Sequence, residues 1–277
     1  MSQTLLYKLD NLIEGTVVKR PSRHIKTPYV ADVKINEDVL NEEVLAHTPS
    51  LGCCGLADVS ATVLMSKSTN ATKCSHTIYL SVVKDQIIGI HPKLAETLVE
   101  NALKMGLLTR LQNVSSYRRE VVIRVKDQVD SRFDFTGIDC NGCPFIMEVK
   151  NVPLADYEDV LAKDRKKMDF TGRDPDSKVA YFPDGYRKKV VDTVSPRALK
   201  HIKELTFIRQ ESNIRCIMCY VIQRTDVNRF QPSVIDPEYR DAFKNALSKG
   251  VEIITLVVSW TKEGEAHFVR DDLPISL

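Results

Sequence analysis

No run of apolar residues in this chain approaches the roughly 18–20 that a membrane-spanning helix requires, which excludes a helical membrane protein. The first twelve residues lack the basic stretch, apolar core and cleavage pattern of a secretory signal. The expectation is an intracellular protein, cytoplasmic or at the nucleoid or nucleus, with no membrane partner. An excess of one charge is missing too. Lys and Arg number 39 against 37 Asp and Glu, a net charge of +2. Net charge therefore does not mark a nucleic-acid binder, and only local clustering of charge can. No internal repeat or low-complexity tract is present, which leaves ordinary globular domains. Seven cysteines, an odd number in a chain of 277 residues, argue against a disulfide scaffold.

Two CxxC pairs remain, Cys140 with Cys143 and Cys216 with Cys219. Their separation far exceeds the zinc-ribbon interval of about 15–20 residues. The second pair also lies in an apolar run, residues 214–222, that reads as a buried strand. Positions i and i+3 of a strand face opposite sides, so that pair is poorly placed to chelate one ion.

The 277 residues suffice for one large or two modest domains. Between residues 15 and 83, short β-branched runs alternate with Pro, Gly, Asn and Asp. About five strands of this kind predict a small barrel of the oligonucleotide-binding type, assigned to residues 1–89. The pattern changes near residue 90. Leu94, Ala95, Leu98, Val99, Ala102 and Leu103 form a helical stripe between Pro92 and Gly106. Strands follow over residues 120–125, 131–135 and 145–150. Residues 152–186 read as a charged surface excursion with one short helix. Ser195 and Pro196 suit the N-cap and first position of a second long helix. A strand follows near Cys216, then a helix from Pro237, then a strand over residues 251–260. Residues 90–277 thus read as α-β-β-β-α-β-α-β, a mixed sheet flanked by helices.

The chemistry concentrates in residues 131–150. Asn141-Gly142 is a strong hairpin-turn signal, so the strands on either side are neighbours. Asp134 sits between Phe133 and Phe135, and Glu148 follows Phe145-Ile146-Met147, so both acids emerge from core strands where charge is rare unless paired. Glu148 and Lys150 share one face, and Asp134 can meet them across the hairpin. Two carboxylates and an ammonium at one point suit a divalent metal and a phosphate. Asp134 and Glu148 are the expected ligands of Mg²⁺ or Mn²⁺. The Val149 carbonyl and Glu120 are further candidate ligands, and Lys150 would orient or deprotonate the attacking water. Glu120 is counted with these catalytic candidates. Arg197, Lys200 and His201 lie at i, i+3 and i+4 on one helix and form a phosphate-gripping face. Solvated charged faces remain the ordinary alternative for each of these residues taken singly.

The chain resembles the sugar fermentation stimulation protein A family. The likeness is carried by Ser131-Arg132-Phe133-Asp134-Phe135, Met147-Glu148-Val149-Lys150-Asn151-Val152 and Phe182-Pro183-Asp184-Gly185. It continues through Arg197-Ala198-Leu199-Lys200-His201 and Val221-Ile222-Gln223-Arg224-Thr225-Asp226, and through Ile235-Asp236-Pro237. A looser match covers Arg20-Pro21-Ser22-Arg23 and His47-Thr48-Pro49-Ser50-Leu51-Gly52. The resemblance implies an α+β protein with an oligonucleotide-binding-like barrel and a PD-(D/E)XK nuclease-like domain. It implies DNA as partner (RNA left open) and Mg²⁺-dependent cleavage by Asp134, Glu148 and Lys150, with Glu120 as the upstream acid. Arg20, Arg23, Arg119, Arg132, Arg197, Lys200, His201 and Arg224 are the expected nucleic-acid contacts. A non-catalytic DNA-binding regulator on the same scaffold is the competing reading, and the oligomeric state, a homodimer included, is left open. The chain departs from the family pattern at Ser50-Leu51, at Cys53-Cys54 and at Ala198. It also carries longer segments over residues 153–181 and 185–194, whose basic clusters would add phosphate contacts.

Overall fold

The structure is a computed structural model, and it describes residues 4–36, 42–48, 55–69, 73–183 and 193–277. Residues 49–54, with Cys53 and Cys54, therefore lie outside the described residues. So do Asp184, Gly185 and the rest of residues 184–192, with the Arg187-Lys188-Lys189 cluster.

A first strand, β1 (Thr4–Lys8), precedes β2 (Ile13–Lys19), β3 (Val30–Ile35), β4 (Glu43–His47), β5 (Thr62–Lys67), β6 (His76–Val83) and β7 (Gln86–Gly89). Strand β2 pairs with β3 and β5, β3 with β4, β5 with β6, and β4 with β6 in parallel. These pairings close a five-stranded barrel of the expected type. Alternation along the strands sends Val17, Val33, Val63, Met65 and Ile78 into its interior.

The remaining elements are α1 (Pro92–Lys104), β8 (Ser116–Val125), β9 (Val129–Ile138), β10 (Pro144–Val152), β11 (Ala155–Asp156), α2 (Ala162–Arg165) and β12 (Lys178–Phe182). They continue with α3 (Pro196–Glu211), β13 (Arg215–Ile222), β14 (Val227–Pro232), α4 (Pro237–Ser248), β15 (Glu252–Trp260) and β16 (Glu265–Arg270). A seven-stranded mixed sheet runs β1-β16-β15-β13-β10-β9-β8. Its centre, β10-β13-β15, is parallel.

The predicted stripe of α1 is the one buried, and it packs on one face of this sheet with Met147, Cys219 and Leu256. Helix α1 ends in a paired cap. The Gly106 N–H reaches the Leu103 carbonyl and the Leu107 N–H the Ala102 carbonyl, with Gly106 at φ +64°. Helices α3 and α4 cover the other face with Ile202, Leu205, Tyr239 and Phe243. Pro196 opens α3 as expected. Ser195 stands at its N-cap but makes no side-chain capping bond, whereas Asp236 caps α4 by accepting the Tyr239 N–H.

Two expectations change. Strand β1, expected within the barrel segment, instead pairs with β16 and belongs to the large sheet. The long excursion after residue 152 supplies β11 and β12 to a small third sheet with β14. Residues 178–182 are only five long and open on Lys178, so no periodicity announces them. The CxxC reading holds. Cys216 lies in the core on the α3 face and Cys219 in the core on the α1 face.

Barrel and sheet are joined at a polar knot. The Trp260 indole N–H donates to Gln223 Oε1 at 2.8 Å, Gln223 Nε2 donates to Asn151 Oδ1 at 2.6 Å, and the Gly89 N–H reaches the Gln223 carbonyl at 3.2 Å. Leu154 and Tyr181 from beyond the barrel pack into the barrel's own core.

Candidate active site at a strand fork

Strands β9 and β10 form the hairpin the Asn141-Gly142 turn predicts. Asp139 holds that turn by accepting the Asn141 and Cys143 N–H groups at 2.9 Å each, and Gly142 takes φ +79°. The β9–β10 ladder runs only from Ile138–Pro144 to Phe135–Met147. Beyond it, β10 stays with β13 along its whole length, while β9 leaves with β8 as a two-stranded ribbon down to Val125–Val129. Phe135 packs with the α1 face and Phe133 with the α3 face, so β9 turns over at Asp134.

Asp134 occupies the fork. Its Oδ2 accepts the Val149 N–H at 2.7 Å, a donor that a continuing ladder would have used. In a strand the N–H and C=O of one residue lie on the same edge, so the Val149 carbonyl also faces the fork. Glu148, 2% exposed, points toward α3. Its Oε1 accepts from Lys150 Nζ and is 2.5 Å from His201 Nδ1. Its Oε2 is buried and has no hydrogen-bond partner among the described residues. The fork thus brings Asp134, Glu148, Val149 and Lys150 together.

The electrostatics differ for the two acids. Burial, and then the charge of Glu148, raises the Asp134 carboxyl to about 7 against the donated Val149 N–H. Burial also works against ionised Glu148, but the Lys150 ammonium and the His201 hydrogen bond outweigh it and hold that carboxyl below its ordinary value. Of the two acids, Glu148 is the one held to its charge and Asp134 the one pushed toward its protonated form.

Glu120 stands across the ribbon from Asp134, at the one step missing from the β8–β9 ladder, with φ +55°. Its carboxylate is spent on Lys93 at 2.8 Å and Arg132 at 3.2 Å. Among the described residues no three His, Cys, Asp or Glu side chains cluster as a metal group, so the structure does not join Glu120 to the other two acids. Glu96 of α1 does reach this neighbourhood. It pairs with Lys93 and Arg119, and its charge also pushes Asp134 upward. The helical stripe placed Glu96 off the buried face and gave no sign that it would meet β9.

The basic candidates divide. Arg132, Arg197, Lys200 and His201 line one open cleft of about 460 Å³ with Asp130, Ser131 and Pro196. Its floor is His201, whose ring lies tilted on Phe133 at 5.6 Å. His201 is a correction to the phosphate-gripping face. Arg197 and Lys200 are exposed, but His201 is 3% exposed and turned onto Glu148. Lys200 donates to the Asp130 carbonyl at 2.6 Å. Arg119 lies over the Phe135 ring and pairs with Glu96 and Glu100, away from the cleft. Arg20 donates to the Pro28 carbonyl at 2.9 Å, and Arg23 pairs with Asp32 and Glu43, so both brace a barrel loop. Arg224 is a second correction. Its guanidinium is buried, bidentate on Asp226 at 2.6 and 2.7 Å, with a third bond to the Pro153 carbonyl, and has no face left for nucleic acid.

Residues 170–264 match the family model described as "Sugar fermentation stimulation protein RE domain". A sugar fermentation stimulation protein homolog of Maricaulis maris (strain MCS10) is 30% identical over 247 residues, 88% of each chain. The chain belongs to the sugar fermentation stimulation protein family. Homologs of the same description from Shewanella sp. (strain MR-4), 30% identical over 87% of each chain, and from Crocosphaera subtropica, 29% identical over 99% of each chain, are similarly close. A solved structure titled "The structure of Pyrococcus Furiosus SfsA in complex with Ca2+" superposes with a TM-score of 0.76 at 21% identity, covering 99% of this chain and 100% of that one. The two share the fold. The family-model match contains α3 with His201, while Asp134, Glu148 and Lys150 precede it. No described helix of this family member is long and apolar enough to cross a membrane.

Proposed function

We propose that the protein hydrolyses phosphodiester bonds in nucleic acid, DNA in the first instance, with a divalent metal bound at the strand fork. One observation carries the reading: Asp134 and Glu148 lie close enough to repel where β9 and β10 part, beside Lys150, and Glu148 keeps a buried Oε2 with no partner among the described residues. A buried carboxylate oxygen with no donor is costly unless something of positive charge completes it. The residues therefore fit a hard cation, and Asp134, Glu148 and the Val149 carbonyl would hold Mg²⁺ or Mn²⁺. The Ca²⁺ named with the Pyrococcus relative is an ion of that chemical kind.

When bound, the ion would polarise the scissile phosphate and acidify a water. The chain's own residues do the rest. Lys150, held beside Glu148, orients the attacking water and stabilises the charge that develops on the phosphoryl oxygens. Arg132, Arg197 and Lys200 hold flanking phosphates along the cleft. Arg132 is kept at the rim by Glu120. Labelled single- and double-stranded DNA and RNA, incubated with Mg²⁺, Mn²⁺ or chelator, test the reading. Cleavage that needs metal and is lost in Glu148→Ala supports it. Binding without cleavage by the wild-type protein under all conditions defeats it in favour of a regulator on the same scaffold.

A further inference from the structure

His201 is an unexpected neighbour for a metal-binding carboxylate. It sits on α3, 53 residues from Glu148 in the chain, and both side chains are almost wholly withdrawn from solvent. The contact is made through Nδ1 to Oε1 at 2.5 Å. An ionised carboxylate only accepts, so Nδ1 must carry the proton and donate it. The ring is fixed on its other side by Phe133, and the helix that carries it is anchored by Ala198, Leu199 and Ile202 in the same core. Lys150 donates to the same oxygen. Among the described residues Oε1 therefore receives two donors and Oε2 none, although the carboxylate is buried. That asymmetry fixes the rotation of the carboxylate about its last bond and leaves Oε2 as the free ligating atom.

We propose that His201 is a positioning residue that, through Nδ1, locks the Glu148 carboxylate so that Oε2 faces the fork and binds the divalent cation. The role is distinct from gripping phosphate. A phosphate contact would use Nε2 from the cleft side, whereas the lock uses Nδ1. For its consequence the proposal rests on the metal-binding reading above, but the lock exists without metal.

Two side chains separate the alternatives, because Asn places an amide N–H near the position of Nδ1 and Gln near that of Nε2. Ca²⁺ affinity of the full-length protein is measured by calorimetry for wild type, His201→Asn, His201→Gln and His201→Ala, with thermal unfolding as the check on folding. The lock predicts that Asn stays near wild type and that Gln and Ala weaken Ca²⁺ roughly 10–100-fold, the usual effect of losing an outer-shell partner. Equal affinity in all four proteins, or retention in Gln with loss in Asn, overturns it. A metal-free readout stands beside this one. The His201 Nδ1 proton should give a slowly exchanging, strongly downfield proton resonance that survives in Glu148→Gln and vanishes in Glu148→Ala. Its absence from wild type overturns the lock. Its presence in a protein that binds no Ca²⁺ keeps the hydrogen bond, overturns the cation role, and marks the failure as that of the metal reading.

Discussion

Asp134 Oδ2 accepts the Val149 N–H at 2.7 Å, and this bond stands where the β9–β10 ladder would otherwise have continued. One acid thus both closes the end of a strand pair and faces the neighbouring Glu148. The cost of that position is visible in its carboxyl, raised to about 7 by burial and by Glu148.

Metal binding at the fork should therefore depend on pH. A cation must displace the Asp134 proton, so Ca²⁺ affinity is expected to fall roughly tenfold per unit as pH drops below about 7, and to level off above it. Calorimetry between pH 5.5 and 8.5 checks this, and Asp134→Asn should remove the step along with most of the affinity. In the metal-free protein the sign is the reverse of an ordinary paired acid. The folded value lies above the unfolded one of about 3.9, so stability declines as pH rises from there to about 7. Asp134→Asn is expected to raise Tm more at pH 8 than at pH 5.

Asp139 should behave the opposite way. Burial opposes its charge, but Arg215 at 2.7 Å and the N–H groups of Cys143 and Asn141 outweigh that and hold the carboxyl below its ordinary value. Its contribution to stability is present above the unfolded value of about 3.9 and is lost as pH falls through the folded one. Thermal unfolding at pH 7 and pH 3 should show a large difference between wild type and Asp139→Asn at the first and a small one at the second.

The two classes of arginine are separable by experiment. Arg197→Ala should leave Tm within a degree or two, weaken nucleic-acid binding, and reduce the slope of log affinity against log salt by about 1. Arg224→Ala strands the buried Asp226 carboxylate, which also pairs with Lys178, and should cost about 3–5 kcal/mol of stability in denaturant unfolding.

The chain's one tryptophan reports on the joint between barrel and sheet. A Cβ on Gly89 would come within 1.9 Å of Gln223 Oε1 and 2.6 Å of Trp260 Nε1. Gly89→Ala is expected to break the Trp260–Gln223 bond, shift the emission maximum to longer wavelength, and lower stability by about 1–3 kcal/mol. An unchanged emission spectrum would show that the joint absorbs the methyl group.

What the sequence determined by itself was local. The α1 stripe, its stop at Gly106, the Asn141-Gly142 turn, the barrel strands and the hairpin that carries Asp134 on one arm and Glu148 and Lys150 on the other follow from periodicity and turn chemistry, each read from a short stretch of chain. Alternation tells which side of a strand is buried, but not which strand lies beside it. Only the tertiary structure decided that β1 crosses to β16, that β9 parts from β10 at Asp134, and that α3 turns His201 inward onto Glu148. The same holds for charge. Arg197 and Arg224 look alike in sequence, and a partner decides between them, since Asp226 and the Pro153 carbonyl hold Arg224 inside the fold while Arg197 lines an open cleft. Hydrogen bonds across long sequence separations form only when packing brings their ends together, so they leave no periodic signal in the chain.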